Sequence, residues 1–339
     1  MKAKYWLTTA LFTLSASVFS ADKVSFEQYV DNLQKEAVER GFSEAFAKEH
    51  LSNLNYNKRV VKADKNQPEF KETLDTYLPK RVPQWKIDRA RKAYKENLPL
   101  LKEIGEKFGV QPRFIVSLWA LETNFGRIQG KMPIIDSIAT LAYDGRREAF
   151  FKKQLWASLQ ILDEGHIAKD KFVGSWAGAM GQCQFIPTSF LAYAADGDGD
   201  GRKDIWTNKA DVFASVANYL KREGWNGNRT WGRQVKLPEG FDKSLLMPKG
   251  SKGRKQWLQN WKKSQHSLQF WSDKGVTRMD GRPLPKANIK GVLITPDDAN
   301  GRVYLGYNNY KSLMHWNRSY YFVTSVGYLA DRIGYPKVN

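Results

Sequence analysis

Apolar side chains recur every three or four residues along most of this chain, which is the spacing of one buried helix face. Residues 84–107 show the pattern clearly, and Pro99 inside them predicts a kink or a split into two helices. The same spacing occurs at 24–60, 112–126, 133–165, 212–223 and 308–333. The chain is therefore predicted to fold mainly into α-helices.

Two segments break the helical spacing. Three prolines divide residues 62–83, which predicts a loop-rich connection there. Between 232 and 306, Pro and Gly become frequent and short β-prone runs lie at 292–294 and 303–305. This second segment is predicted to be a small β-rich insertion in an otherwise helical protein.

The first twenty residues have the pattern of an export signal. Two lysines precede an apolar run at 5–19, and Val18 and Ser20 lie at the −3 and −1 sites of a signal-peptidase cut. A membrane anchor is the alternative, but the run is shorter than the roughly 20 residues that a spanning helix needs. No cysteine follows the run to carry a lipid anchor, so we predict a periplasmic protein. Cys183 is the only cysteine, which excludes an internal disulfide and leaves it as a core residue.

Basic residues outnumber acidic ones, with 54 Lys or Arg against 35 Asp or Glu and a net charge of +19. A hydrophobic content of 42% excludes a disordered chain. Such a basic surface favours a polyanionic partner, and an exported protein meets membrane surfaces and cell-wall polymers. The export signal and the lack of a nucleic-acid-binding motif argue against nucleic acid. A solvated basic surface without a specific partner is the alternative.

One carboxylate continues an apolar helix face. Ile115, Leu118, Trp119 and Glu122 follow at i, i+3, i+4 and i+7, and Gly126 then ends the helix. A carboxylate on a buried face is costly unless it is used, and burial raises its pKa toward the range of a general acid. The alternative is a structural glutamate that reaches solvent or pairs with a neighbouring arginine.

Acidic residues alternate with glycine in a loop that resembles the opening of an EF-hand. Aspartates occupy positions 1, 3 and 5, and glycine occupies position 6. Position 12, normally a glutamate, is Thr207, so a longer loop would have to close on a later acid. A solvated Asp-Gly turn is the alternative. We predict a structural calcium site with oxygen ligands from Asp196, Asp198, Asp200, Asp211 and the backbone carbonyl of Arg202.

Several motifs occur together and in one order: Glu122-Thr-Asn-Phe-Gly126, the glycine-rich segment 175–190, the Asp-Gly loop, 215–219 and 316–319. Over roughly residues 24–335 the chain resembles the membrane-bound lytic murein transglycosylase B family, including its soluble forms. The resemblance implies a mainly α (α+β) fold with a goose-lysozyme-like helical core, an N-terminal helical domain and a small β-containing insertion. The implied divisions are a signal peptide (1–20), an N-terminal helical domain (21–100), a lysozyme-like catalytic core (101–231), the β-rich insertion (232–306) and a C-terminal helix completing the core (307–339).

The resemblance also implies an activity and a set of site residues. Glu122 would be the single catalytic acid that cleaves the β-1,4 bond between MurNAc and GlcNAc in peptidoglycan, leaving 1,6-anhydro-MurNAc ends. No cofactor would be required. Arg146 and Arg147 would bind the peptide stem, and Trp316 replaces a tyrosine frequent in the family. The implied substrate-binding residues are Tyr77, Arg146, Arg147, Ser175, Gln184, Tyr219, Trp316 and Asn317.

Glycan strands, and other cell-wall enzymes, are the partners that this reading predicts, and we expect a monomer. Two other functions stay open on the sequence: a hydrolytic muramidase, which would use a similar glutamate with a water molecule, and a non-catalytic peptidoglycan-binding protein. Analysis of the products separates these three functions.

Overall fold

The computed structural model describes residues 24–66, 72–298 and 300–334, so the predicted signal peptide lies outside the described residues. Within these ranges no helix is both long and apolar enough to span a bilayer. The helices are α1 (Phe26–Glu39), α2 (Glu44–Leu51), α3 (Lys58–Lys65), α4 (Leu74–Arg81), α5 (Gln84–Glu96), α6 (Leu98–Phe108), α7 (Pro112–Thr123), α8 (Ile134–Asp144), α9 (Glu148–Asp163), α10 (Pro187–Tyr193), α11 (Lys209–Arg222), α12 (Gly253–Ser264), α13 (Leu268–Asp273), α14 (Asn308–Trp316) and α15 (Tyr320–Gly334). The strands are β1 (Met132–Pro133), β2 (Val173–Gly174), β3 (Gly232–Lys236), β4 (His266–Ser267), β5 (Thr277–Arg278), β6 (Lys290–Ile294) and β7 (Val303–Gly306).

Prolines act differently at two places in the N-terminal half. The predicted break in the long helical stretch lies at Asn97, and Pro99 occupies the first turn of α6, where it has no hydrogen bond to lose. The predicted loop at 62–83 is wrong, because α4 forms within it and carries Pro79. Leu74 and Tyr77 are buried on one face of α4, and the helix packs against α15. This tertiary packing offsets the hydrogen bond that the proline removes.

Helix α7 is the centre of the helical core. It packs against α15, α5, α6 and α11, and nearly all of its side chains are buried. The Ser117 hydroxyl donates to the Val326 carbonyl of α15 at 2.7 Å, which brings the two helices close together. Gly327 has to be glycine, since a Cβ there would collide with the Trp231 indole. The position of α7 is therefore fixed on several sides.

Most of the β-structure lies between 232 and 306, together with α12 and α13. Five antiparallel strands form a sheet in the order β4-β6-β7-β3-β5, while β1 and β2 pair separately. The sheet has its own small core around Leu293, Leu305 and Trp271. Asp297 joins this region to the helices, because its carboxylate accepts from the Leu74 backbone N–H at 2.9 Å and from the Tyr321 hydroxyl. The division into domains remains a prediction.

Candidate active site

Glu122 lies in the last turn of α7, directly before a sharp reversal of the chain. Asn124, Phe125 and Gly126 have φ values of 51°, 62° and 77°, so three consecutive residues adopt the left-handed conformation. Non-glycine residues rarely adopt it, and such strain clusters at functional sites. The Thr123 hydroxyl holds the turn by accepting from the Gly126 N–H at 3.0 Å and donating to the Gln182 carbonyl at 3.1 Å.

Gln182 fixes the same helix end through its side chain. Its Oε1 accepts from the Trp119 indole at 2.7 Å, and its Nε2 donates to the Trp206 carbonyl at 2.8 Å. Both ends of this buried amide are therefore hydrogen-bonded, as a buried polar group requires. Gln182 was not among the predicted site residues, because nothing in a local pattern shows a partner 63 residues away.

The Glu122 side chain is half-buried, and among the described residues its carboxyl group has one hydrogen-bond donor, the Trp316 indole at 2.7 Å from Oε1. Burial raises the pKa of Glu122 to about 7, and the indole hydrogen bond opposes part of that rise because it favours the charged form. No second carboxylate among the described residues contributes to this shift. A carboxyl group with this pKa can both donate and accept a proton near neutral pH.

Aromatic rings enclose the Glu122 side chain from the side of α14. The Trp316 ring packs 4.7 Å from the Tyr219 ring and 5.3 Å from the Phe185 ring, measured between centroids. The buried Tyr219 hydroxyl donates to the His315 carbonyl at 2.7 Å, and burial raises its pKa. The predicted residues Tyr219 and Trp316 are thus brought together, and Trp316 contacts the Glu122 carboxyl group itself.

Tyr77 reaches the site from α4. It is buried, its ring meets the Tyr321 ring edge-on at 5.2 Å, and the Arg81 guanidinium lies 5.2 Å above it. Burial raises the pKa of Tyr77, and the charge of Glu122 adds to the rise. Arg81 was not predicted, although a basic residue one helical turn after Tyr77 was a visible signal.

The glycine-rich segment supplies Ser175 and Gln184. The Ser175 hydroxyl accepts from the Ala179 N–H at 3.0 Å within a tight turn. Gln184 has φ of 51°, and its Nε2 donates to the carbonyls of Gln129 and Gly181. These bonds fix the amide, and its Oε1 has no hydrogen bond to any described residue.

The predicted arginine pair lies on the turn between α8 and α9. Arg146 and Arg147 both pair with the buried carboxylate of Asp64, and Arg146 also donates to the Asp64 carbonyl at 2.9 Å. Both guanidiniums are about half exposed. Among the described residues no hydrogen bond or ion pair joins them to Glu122. Asn317 is exposed just past the end of α14, with its backbone N–H bonded to the Leu313 carbonyl at 3.1 Å.

The Asp-Gly loop brings three acids together. Asp196, Asp198 and Asp211 each place a carboxylate oxygen within 4.8 Å of the others, which suits the oxygen donor set that calcium prefers. Asp200 is not one of the three; its carboxylate accepts from the Arg202 N–H at 2.8 Å. Burial raises the pKa of Asp211, whereas backbone N–H groups lower the pKa of Asp196.

A network at the back of the aromatic rings was not predicted. The Glu223 carboxylate accepts from the Tyr193 hydroxyl at 2.5 Å and from Arg254 at 2.9 Å, and it pairs with the His315 ring. Hydrogen bonds with Tyr193 and His315 and the charge of Arg254 lower the pKa of Glu223, although burial, the largest single effect, opposes them. The backbone carbonyl of His315 also accepts from the Tyr219 hydroxyl. This network therefore supports the Tyr219 ring, which packs on Trp316.

Comparison with known proteins identifies relatives across nearly all of the chain. The Transglycosylase SLT domain family matches residues 25–331. Membrane-bound lytic murein transglycosylase B of Escherichia coli (strain K12) is 29% identical over 239 residues, 70% of this chain and 61% of that protein. The chain thus spans less than two thirds of the length of this relative.

Solved structures are similar over more of the chain. SltB3 from Pseudomonas aeruginosa, solved in complex with NAG-anhNAM-pentapeptide, is 35% identical with a TM-score of 0.84 and covers 91% of this chain and 79% of its own. The Escherichia coli lytic transglycosylase Slt35, solved in complex with calcium, is 26% identical with a TM-score of 0.74 and covers 92% and 93%. The predicted helical, lysozyme-like fold with a small sheet is confirmed by these matches. With its fold matched and a family match from residue 25 to residue 331, this chain belongs to the Transglycosylase SLT domain family.

Proposed function

We propose that this protein is a lytic transglycosylase that cleaves the β-1,4 bond between MurNAc and GlcNAc in peptidoglycan and leaves 1,6-anhydro-MurNAc ends. The observation that carries the proposal is the state of Glu122: one half-buried carboxyl group with its pKa raised to about 7 and no second carboxylate acting on it. Most glycosidases need two carboxylates, and the exceptions use a group of the substrate in place of the second.

The first step needs an acid. The protonated Glu122 donates its proton to the glycosidic oxygen, which leaves with GlcNAc as a hydroxyl group. The C1–oxygen bond breaks and positive charge develops at C1 of MurNAc. The carbonyl oxygen of the sugar's own N-acetyl group bonds to C1 and stabilises that charge. Trp316 stabilises the carboxylate that Glu122 has now become, through the indole hydrogen bond.

The second step needs a base at the same position. The Glu122 carboxylate removes the proton from the C6 hydroxyl of MurNAc, and that oxygen attacks C1 and displaces the N-acetyl oxygen. The product is the 1,6-anhydro sugar, and Glu122 regains its proton. Because water is not a reactant, no second carboxylate is needed to activate one. A pKa near 7 suits a group that acts in both directions.

Substrate recognition is proposed for the residues around this carboxyl group. The open Oε1 of Gln184 can accept a hydrogen bond from the N-acetyl N–H or a sugar hydroxyl, and Ser175 lies in the same glycine-rich segment. The half-exposed guanidiniums of Arg146 and Arg147, oriented by Asp64, suit carboxylates of the peptide stem. Tyr77, Tyr219, Trp316 and Asn317 complete the proposed binding set.

Export to the periplasm, a monomeric state, contacts with other cell-wall enzymes and a structural calcium ion belong to the same proposal. The signal-like residues 1–20 support export. The three converging aspartates support calcium, which Asp196, Asp198 and Asp211 would hold away from the chemistry. No cofactor is needed for the two proton transfers at Glu122.

Product analysis tests the proposed activity. Purified protein is incubated with peptidoglycan sacculi and the released muropeptides are analysed by mass spectrometry. We expect anhydro-muropeptides, each one water lighter than the corresponding hydrolysis product. Products with reducing ends alone would establish a hydrolytic muramidase, and no released product, with binding retained, would establish a non-catalytic binding protein.

A further inference from the structure

A cavity lies where the sheet meets the end of α15. It has a volume of about 660 Å³, within the range of small-molecule sites. Its lining comes from β3, β5, β7, the loop after β5 and the last turns of α15. Arg113, at the first turn of α7, pairs with Asp331 of this lining, whereas Glu122 lies at the opposite end of α7, about 14 Å further along its axis. This cavity is therefore separate from the proposed active site.

Arginine dominates the lining. Arg233, Arg278, Arg282 and Arg332 all border the cavity, and Asp331 is the one carboxylate among its lining residues. Arg282 is neutralised by Asp280, which accepts from it at 2.8 Å. Guanidinium groups do not lose their protons in proteins, so the other three charges persist at every physiological pH.

Asp331 balances only part of these charges, because its carboxylate also pairs with Arg113. Its carboxylate accepts from Arg113 at 3.2 Å and from the Trp231 indole at 3.0 Å. Burial raises its pKa to about 6 despite those contacts. Arg113 lies behind the lining and brings a further positive charge, so the pair as a whole is neutral. The cavity keeps an excess of three guanidiniums.

None of the three remaining arginines forms an ion pair with a carboxylate among the described residues, although the charge of Asp331 acts on Arg233 and Arg332 and that of Asp280 acts on Arg278. Arg233 donates to the Tyr307 hydroxyl at 2.9 Å, and Arg332 lies 3.1 Å above the Tyr328 ring. The buried Nε of Arg278 has no hydrogen bond to any residue that the structure describes. A buried donor without an acceptor costs free energy, and like charges around one cavity repel each other. An anion in the cavity would relieve both costs.

We propose that this cavity binds an oxyanion carrying two negative charges, held by Arg233, Arg278 and Arg332. Guanidiniums pair with phosphate and carboxylate oxygens in the same two-pronged geometry. Inorganic phosphate and the neighbouring carboxylates of a peptide stem share this chemistry. The site goes beyond the proposed activity and does not depend on it, because its ligand is recognised without Glu122.

Calorimetric titration of the full chain with inorganic phosphate tests the site, in chloride buffer of constant ionic strength. We expect saturable one-to-one binding that is weakened about tenfold or more in Arg278→Gln and in Arg332→Gln. Arg59→Gln is the matched control, since Arg59 is an exposed arginine on α3, which packs on α8. Equal weakening in the control would mean a general charge effect and would overturn the proposal.

A second arm tests the carboxylates. The same titration uses a soluble pentapeptide muropeptide and its amidated form, with the Glu122→Gln chain to prevent cleavage. Binding that needs both Arg278 and free carboxylates assigns the site to peptide stems, and binding of phosphate alone assigns it to phosphate. If both anions bind Arg278→Gln and Arg332→Gln with the same affinity as Arg59→Gln, the site does not exist.

Thermal unfolding without added anion separates a binding role from a structural one. If Arg278 serves a ligand, Arg278→Gln should melt at the same or a higher temperature than the wild type in chloride, because repulsion is reduced. The upward shift produced by phosphate should then be lost. A lower melting temperature in chloride, with the phosphate shift retained, would make the arginine structural and contradict the proposal.

Discussion

Helix α7 has, near each of its ends, a carboxyl group that is held by a tryptophan indole. Glu122 accepts from Trp316 at 2.7 Å, and Asp331 of α15 accepts from Trp231 at 3.0 Å. Burial raises both pKa values, to about 7 and about 6. The difference lies in the cations: Arg113 pairs with Asp331, and Arg332 and Arg233 also lower its pKa, while no cation contributes to the pKa of Glu122.

This comparison shows how similar surroundings give different chemistry. A neighbouring guanidinium favours the charged form, so Asp331 is mostly ionised at neutral pH and ties two elements together. Without one, Glu122 keeps its proton in a large fraction of molecules and can act as an acid. Within the described part of the chain, the lack of a cation acting on the carboxyl group distinguishes the proposed catalytic group from the structural one.

Glu122→Gln should produce the largest change. An amide of the same size cannot give or take the proton, so we expect turnover of peptidoglycan to fall by about 10³-fold or more. The mutant should fold and bind glycan strands. Muropeptide release by the purified mutant measures the loss, and release near the wild-type rate would remove Glu122 from the mechanism.

The same variant should be more stable at alkaline pH. The pKa of Glu122 is higher in the folded chain than in the unfolded one, so its favourable contribution is complete below about pH 4.5 and is lost as the pH rises through 7. At pH 8, Glu122→Gln should raise the free energy of unfolding by on the order of 2 kcal/mol, after allowance for partial exposure. Urea unfolding at pH 4.5 and 8 measures this, and equal differences at the two pH values would contradict it.

Asp331→Asn should have the opposite effect on stability. The change leaves the buried Arg113 guanidinium without its carboxylate, and breaking such a pair typically costs about 3 kcal/mol. Turnover per folded molecule should stay near the wild-type value. Urea unfolding at pH 8 with a parallel activity assay provides the measurement, and an increase in stability would show that the two ends of α7 do not differ as described.

Calcium should compensate the charge repulsion among the aspartates of the Asp-Gly loop. A cation that binds only the folded chain stabilises it by about 2.7 kcal/mol when free calcium is 100 times Kd. Calcium should raise the melting temperature of the wild type, and much less that of Asp198→Asn, since Asp198 is one of the three converging acids. Turnover at room temperature should change little with a chelator. Identical melts with and without calcium would leave the loop a solvated turn.

Trp316→Phe should give a smaller and more specific change. Loss of the indole donor disfavours the Glu122 carboxylate, so the alkaline limb of the kcat profile should move to higher pH by about one unit. The ring is kept, so packing on Tyr219 remains. Tyr219→Phe is the control, because its hydroxyl bonds to a backbone carbonyl and not to Glu122. A limb that moves equally in both variants would reject this role of the indole.

Helical spacing was enough to place Glu122 on a buried face, because the i, i+3, i+4, i+7 pattern can be read within a short run of neighbouring residues of the sequence. The split of the long helical stretch was predicted from Pro99, which is also local information, and the structure places it at Asn97. The contact between Trp316 and Glu122 was not predicted, since it joins residues 194 positions apart and depends on how α14 meets α7. The pairing of Arg113 with Asp331 is likewise set by tertiary packing, and α4 formed despite Pro79 because burial outweighed local propensity.

The turn after Glu122 also limits how far the thermal stability of this protein can be increased by substitution. Asn124 and Phe125 occupy a conformation that glycine adopts without cost, so replacing either is an obvious route to a more heat-resistant protein. Yet the Phe125 ring packs edge-on against Trp119, and that tryptophan is bonded to Gln182. A glycine would remove the ring and loosen the support of the helix end that carries Glu122. A gain in thermal stability at this turn would therefore make the position of the Glu122 carboxyl group less precise.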